Sequence, residues 1–376
     1  MIESETVVNS ALNVRVAKDE LNQALGVVSR GVSSRTAVLV LSGIMLRAEA
    51  GRLHLAATDM ELSLRGAVEA QVEGDGAVVV SGRTLVDVVR LLPAEDVTLE
   101  HLPEEGVVQI TCGSASFRLH TFATEDFPRL PDVEGVELYT VDKDALLETV
   151  ARVGRAASRD ESRPVLTGIL VRFEGGKVVM AATDSYRMAV KETEVTGTLP
   201  DLEAIIPARA LQELTRIAAG AAELQLGVQE NHVVFGADGT WLTTRRIDGQ
   251  FPNYRQLRPD AFEHELPIAR DELLEVVRRV SVMAQRNSPL RLRFADGELT
   301  VSAQTQDVGE AKESLPLAFS GDPLEIGFNA DFLRDGVESV EGDQAVLKLI
   351  SPLRPGLITG EGDDFWYLIM PIRLAG

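Results

Sequence analysis

Apolar residues return at helical spacing in six places along the chain. The first stripe runs over 16–28, where Leu21, Ala24, Leu25 and Val28 share one face. Asp19 and Glu20 stand in its first turn, where the helix dipole favours acids. Further helices are expected over 83–92, closed by Pro93, and over 143–157, 208–218, 271–285 and 331–340. Between them lie short runs that read as strands parted by polar turns, among them 38–45, 52–56, 69–80 and 107–120.

The pattern repeats. LAATDMEL at Leu55–Leu62 returns as MAATDSYRM at Met180–Met188, an offset of 125 between Asp59 and Asp184. The phrase opening at Val16 returns at Val141 and Ile268, Ser81-Gly-Arg-Thr-Leu85 returns as Pro207-Ala-Arg-Ala-Leu211, and Phe127-Pro128 returns as Phe251-Pro252. A unit of about 125 residues is too long for a solenoid and normal for a domain. The expected architecture is therefore α+β: three tandem copies, each with two helices packed on antiparallel sheet, bounded at 12–132, 138–260 and 264–376.

Composition changes this picture little. The 376 residues are 45% hydrophobic, enough for several cores. The single cysteine, Cys112, lies in a strand-like run and reads as a buried thiol; it leaves no intramolecular disulfide and no cysteine-based metal site. That usage suits a reducing cytoplasm. The longest apolar run, 37–46, is far short of the roughly 20 residues of a membrane span, and the acidic MIESETVV start is unlike a secretory signal. No membrane association is expected.

Charge adds a constraint. A net charge of −21 argues against nucleic acid for the surface as a whole, yet permits a segregated basic stripe. Lys18, Lys143 and Arg270 hold one equivalent position in the three first helices. Arg152, Arg155 and Arg159 fall at i, i+3 and i+7, and Arg279 and Arg286 are seven apart. In the second helices Arg83 and Arg90 match Arg209 and Arg216, whereas the third copy has Asp331 and Glu338 at those places. These cations make either a basic face or ordinary solvated helix surfaces with salt bridges.

Catalytic patterns are missing: there is no phosphate loop, dinucleotide fingerprint, H-E-x-x-H or G-x-S-x-G. His54, His101, His120, His232 and His264 show no ligand spacing. The Thr58-Asp59 and Thr183-Asp184 pairs read as polar turns closing strands. Neither an enzyme, a metal site nor a cofactor is expected.

The triple repeat, the AATD phrases, SRPVLTGIL, DGQFPNYRQL and the ending YLIMPIRL together resemble the bacterial DNA polymerase III beta subunit family, the sliding clamps, over about 12–374. The resemblance implies a head-to-tail homodimer, each chain forming half of a six-domain ring around double-stranded DNA, held without base readout. It implies a nucleoid-associated cytoplasmic processivity factor. The family's replicative polymerase alpha subunit, clamp loader, repair polymerases and ligase dock through short hydrophobic peptides.

Carried over residue by residue, the peptide groove comprises Leu166, Thr183, Ser185, Tyr186, Arg187, Met188, Pro252 and Leu257. It continues with Asn329, Leu353, Leu368, Met370, Pro371, Ile372 and Arg373. The resemblance places the dimer contact at Phe117 and Leu119 on one side and Val282 and Met283 on the other. It adds Arg35, Arg159, Arg163 and Arg286 as DNA-contacting loop residues beside the helical arginines. Ser185-Tyr186 replaces the glycine and histidine of some members, and Gln256 replaces an arginine. A different class, an acidic scaffold of three tandem domains that never encloses DNA, fits the same composition.

Overall fold

The computed structural model describes residues 11–33, 37–284, 288–306, 309–362 and 364–374. Arg35 and Arg286 lie outside them. The chain divides into two compact units, Met1–Val141 with Arg216–Arg245, and Asp142–Thr215 with Arg246–Gly376.

The first unit is built on one antiparallel sheet of thirteen strands. Starting from Leu138–Val141, its order runs through Leu224–Val228, His232–Ala237, Thr240–Arg245, Leu62–Glu69, Arg52–Thr58, Gly43–Glu49 and Gly76–Ser81. It then passes through Ala115–Phe122, Val107–Cys112, Asp96–Leu102 and Asn13–Ala17 to Gln71–Gly74. The join between repeats is a strand pair, Leu242 opposite Leu64 and Trp241 opposite Arg65. Helices Lys18–Val28 and Gly82–Leu91 close the core: Leu21, Leu25, Val28, Leu85 and Val89 pack with Ile44, Leu46, Leu53, Leu55, Val97, Leu99 and Ile110. Each such fully buried side chain contributes about 1.5–3 kcal/mol. Cys112 belongs to this core and is buried.

The second unit has an eight-stranded and a four-stranded sheet, both antiparallel. The first runs Glu203–Pro207, Gly168–Glu174, Lys177–Thr183, Arg187–Glu194, Phe365–Ile369, Gly356–Thr359, Gln344–Leu349 and His264–Ala269. Here too a strand pair crosses repeats, with Met188 opposite Leu368 and Val190 opposite Trp366. The second runs Gly309–Pro316, Glu298–Thr305, Leu290–Ala295 and Leu324–Phe328. Helices Lys143–Val153, Arg270–Ser281 and Ala330–Glu338 belong to this unit. In the helix Ala208–Ala218, Leu211, Leu214 and Ala218 are buried while Arg209 and Arg216 are exposed.

Four expectations need correction. Val16 lies on the strand Asn13–Ala17, and the helix begins at Lys18. The run 38–45 is not one strand: Leu39–Ser42 forms a 3-10 turn before the strand starts at Gly43. The turn arises because Val40 and Leu41 bury against Val79 and Phe127, a small cluster of their own, and the Ser42 hydroxyl donates to the Leu39 carbonyl. The third-repeat helix stops at Ser281, so Val282 and Met283 follow it rather than extend its apolar face. Finally, the helix of Arg152 ends at Val153, a 3-10 turn covers Gly154–Ala156, and Arg159 stands in the loop beyond. The i+7 relation of Arg159 to Arg152 therefore sets no common helix face.

Candidate functional site

The recurring AATD phrase is one turn made twice. In the first copy the Thr58 hydroxyl donates to the Leu62 carbonyl, while the amides of Glu61 and Leu62 donate to Asp59 Oδ1 at 3.1 and 2.9 Å. In the second, the Thr183 hydroxyl donates to the Arg187 carbonyl, and the amides of Tyr186 and Arg187 donate to Asp184 Oδ1 at 2.9 and 3.0 Å. The third turn residue is left-handed in both, Met60 at φ 79° and Ser185 at φ 80°. Glycine adopts that conformation without penalty, so Met60 and Ser185 each hold a backbone position that a side chain disfavours.

What differs is the residue closing the turn, leucine in one copy and Arg187 in the other. Alternation along the strand Arg187–Glu194 sends Met188 to one face and Arg187 to the other. Arg187 Nε donates to Asp184 Oδ2 at 3.0 Å, and Nη1 donates to Asp335 Oδ2 at 2.6 Å and to the Tyr367 hydroxyl at 3.3 Å. Its guanidinium lies 4.2 Å from the centre of the Phe332 ring. Burial alone would lower the pKa of this guanidinium, but Tyr367, Asp335 and Asp184 outweigh it and raise it above the ordinary arginine value. Burial in turn pushes the Tyr367 hydroxyl up, against the opposing pull of Arg187. The Arg187 guanidinium stays a cation, held between two carboxylates.

On the opposite face Met188 and Leu368 form an apolar floor with Leu170, Leu357 and Trp366, onto which the connector folds Phe251, Tyr254 and Phe262. The chain's last described segment edges this floor. The Met370 amide donates to the Tyr186 carbonyl at 2.9 Å, and the Ile372 amide to the Gly327 carbonyl at 2.8 Å. Leu374 lies over Gly327, where an added Cβ would come within 2.6 Å of it. Tyr186, Leu257, Leu353 and Met370 remain exposed apolar groups.

The expected groove residues thus divide by role. Thr183 is buried and spends its hydroxyl on the turn, and Met188 and Leu368 are buried in the floor. Asn329 caps the helix Ala330–Glu338, its side chain accepting from the Phe332 amide. Leu166 and Pro252 are half-buried, as are Pro371 and Ile372, while Ser185 and Arg373 are exposed. Leu353 stands on the turn between Gln344–Leu349 and Gly356–Thr359. Phe332, Asp335 and Tyr367 were missing from the expected set. The break in the second-helix pattern, at Asp331 and Glu338, does not point to them, since Asp335 matches Asp87 and Glu213, acids in the other copies too.

That break has a structural cause. Glu338 accepts from Arg155 and from Arg278, and Asp335 lies 3.7 Å from Arg155 as well as against Arg187. Burial would raise the Glu338 pKa, but Arg278 and Arg155 hold it below the usual carboxylate range. The third copy's second helix is therefore an acceptor for the protein's own cations. Arg152, whose side chain is 14% exposed, is held by Glu148 and Glu341 at 2.8 and 2.7 Å, which withdraws it from the expected basic face. Arg155 is half-exposed on its two acids, Arg90 pairs with Asp87, and Arg279 grips Glu313 through two nitrogens. Arg83, Arg159, Arg163, Arg209 and Arg216 are exposed. Arg163 donates to Asp160 and to the Ser185 hydroxyl, so this loop touches the turn of the apolar site.

Lys191 forms a second charged centre, 4% exposed, with Asp364 at 2.7 Å and Glu148 at 3.8 Å. Burial would raise the Asp364 pKa, but Lys191 overrides it and holds the carboxyl below its ordinary value. A carboxyl depressed by folding stabilises the fold above its unfolded pKa of about 3.9, and that contribution is lost as pH falls through the folded value. Asp364→Asn is expected to lower the melting temperature at neutral pH and to shrink its further fall between about pH 5 and about pH 3. Calorimetry across that range measures both.

Three family profiles match the chain: DNA polymerase III beta subunit N-terminal domain at 12–131, central domain at 140–253 and C-terminal domain at 255–373. The Streptomyces coelicolor beta sliding clamp is 36% identical over 380 residues, covering 97% of this chain and 100% of that protein. The chain belongs to the DNA polymerase III beta subunit family, the beta sliding clamps. Solved clamps share its fold throughout. A C. crescentus beta sliding clamp superposes with a TM-score of 0.90 at 29% identity, covering 97% of this chain and 99% of that one. The Bartonella birtlesii sliding clamp, crystallised bound to griselimycin, has a TM-score of 0.88 at 27% identity, covering 97% and 100%. The fold of this clamp is three beta-clamp domains with large antiparallel sheets.

Proposed function

We propose that two chains close head-to-tail around duplex DNA and tether the replicative polymerase, clamp loader, repair polymerases and ligase through short hydrophobic peptides. The observation that carries this reading is a pair of open strand edges. The strand Ala115–Phe122 pairs with Val107–Cys112 along its length but meets Gly76–Ser81 only at Thr121 and Phe122, leaving the other edge of 115–120 bare among the described residues. The strand Gly309–Pro316 ends the four-stranded sheet. Open edges invite pairing with another chain, and two unlike edges joined twice make a closed ring. Exposed apolar groups accompany both sides: Phe117 at 41% and, after the helix Arg270–Ser281, Val282 at 75%. Leu119 packs partly into its own core, and Met283 lends its carbonyl to the Thr305 hydroxyl, so Phe117 and Val282 are the stronger contacts.

Within such a ring Arg83, Arg90, Arg155, Arg159, Arg163, Arg209, Arg216 and Arg279 serve as weak, sequence-independent phosphate contacts. The three domains carry the bounds 12–132, 138–260 and 264–376. The apolar floor at Met188 and Leu368, edged by Tyr186 and Met370, takes the partner peptide. The chain works without catalysis, cofactor or metal, in the cytoplasm beside the nucleoid.

Loading onto plasmid tests enclosure. Retention on circular DNA and loss from the same plasmid after linearisation are expected, because a ring held by topology slides off free ends. Equal retention on both forms, or none on either, returns the chain to the acidic scaffold.

A further inference from the structure

The molecule contains its own control for the Arg187 cluster. The first-repeat turn, closed by leucine, has the same hydrogen bonds and the same left-handed third residue as the second-repeat turn. The turn therefore forms without a cation, and Arg187 must do something else. Its side chain is 11% exposed between Asp184 and Asp335, and beyond Asp184 its contacts reach the third repeat: Asp335 and Phe332 on the helix Ala330–Glu338, and Tyr367 on the strand Phe365–Ile369. That helix sits close enough to do this because of Gly336, where an added Cβ would come within 2.7 Å of the Tyr367 ring. The Tyr367 hydroxyl donates to the Phe332 carbonyl at 2.9 Å, fixing the ring that flanks the guanidinium.

We propose that Asp335 is a positioning residue of the peptide groove, holding Arg187 so that the Ser185–Tyr186 rim stands at the right distance from the tail at Met370. The proposal rests on the groove reading above and deepens it. Two links carry the position outward: Asp335 to the Arg187 guanidinium, and the Tyr186 carbonyl to the Met370 amide. The two carboxylates outnumber the one guanidinium, so the cluster offers no positive charge to an acidic guest and the groove selects an apolar one.

The test compares Asp335→Asn, Asp335→Glu and Asp331→Asn in the full chain. Asp331, on the same helix and 71% exposed in its side chain, pairs among the described residues with Arg334 alone and serves as the control. Fluorescence anisotropy reads the affinity of a fluorescein-labelled peptide copying the clamp-binding segment of the replicative polymerase alpha subunit. Asp335→Asn should weaken it about tenfold, Asp335→Glu should recover part of the loss, and Asp331→Asn should match the parent. A peptide variant bearing an added carboxylate should lose less, because the cluster has then lost one negative charge. Unchanged affinity in Asp335→Asn, or the same loss in Asp331→Asn, overturns the proposal. A parent chain that fails to bind the peptide overturns the groove reading. Proton exchange at Arg187 Nη1, the nitrogen that donates to Asp335 and needs no guest, then still decides: faster exchange in Asp335→Asn is expected, and an unchanged rate shows that Asp335 does not hold Arg187.

Discussion

Phe117→Asp is expected to leave the chain monomeric at concentrations where the parent is a dimer. An exposed aromatic beside an open strand edge is the kind of group that anchors an interface, and losing such an anchor costs on the order of 2 kcal/mol or more. A head-to-tail ring of two chains contains that contact twice, so the dimer loses about 4 kcal/mol, close to a thousandfold in dissociation constant. Burying the new carboxylate against a strand adds to the loss. The side chain now faces solvent, so the monomer's own fold should be spared. Mass photometry of parent and variant over a dilution series makes the comparison. A variant that dimerises as the parent does removes Phe117 from the interface. If Val282→Asp behaves like the parent as well, the edge-to-edge ring goes with it.

Arg187→Ala should destabilise the second compact unit by about 3 kcal/mol, since removing one partner of a buried ion pair leaves the remaining carboxylates uncompensated. Asp184 and Asp335 are both largely shielded, so water screens the loss only in part. Arg187→Met should fare no better, whereas Arg187→Met with Asp335→Leu should recover much of the loss by removing a stranded charge along with its partner. The two tryptophans allow the measurement to be local. Trp241 lies in the first unit and Trp366 in the second, so denaturation followed by fluorescence in a Trp241→Phe background reports on the second alone. Additive losses in the double variant would mean that Arg187 and Asp335 do not act on each other.

Both predictions turn on residues whose partners are far away in sequence, and that distance separates what was legible from what was not. The triple repeat, the AATD turns and the helix Ala208–Ala218 could be read directly, because spacing within one turn or one helix is a local property. The 3-10 turn at Leu39–Ser42 could not. Its apolar run is continuous, and only the distant Phe127 decides that Val40 and Leu41 bury as a turn rather than a strand. The end of the helix at Ser281 escaped for a related reason: Val282 is apolar yet exposed, so hydrophobicity alone extended the stripe.

The chain's order of residues determined by itself that there are three like domains, where their turns and most of their helices fall, and which family they belong to. These follow from short-range periodicity and from phrases that recur. Only the tertiary structure decided how repeats share sheets, through the pairs Leu242 with Leu64 and Val190 with Trp366. It also decided which arginines are spent inside the molecule. An arginine reads the same in sequence whether it faces solvent or a carboxylate, and the choice is made by whichever acid the fold carries to it: Glu148 and Glu341 for Arg152, Asp335 for Arg187.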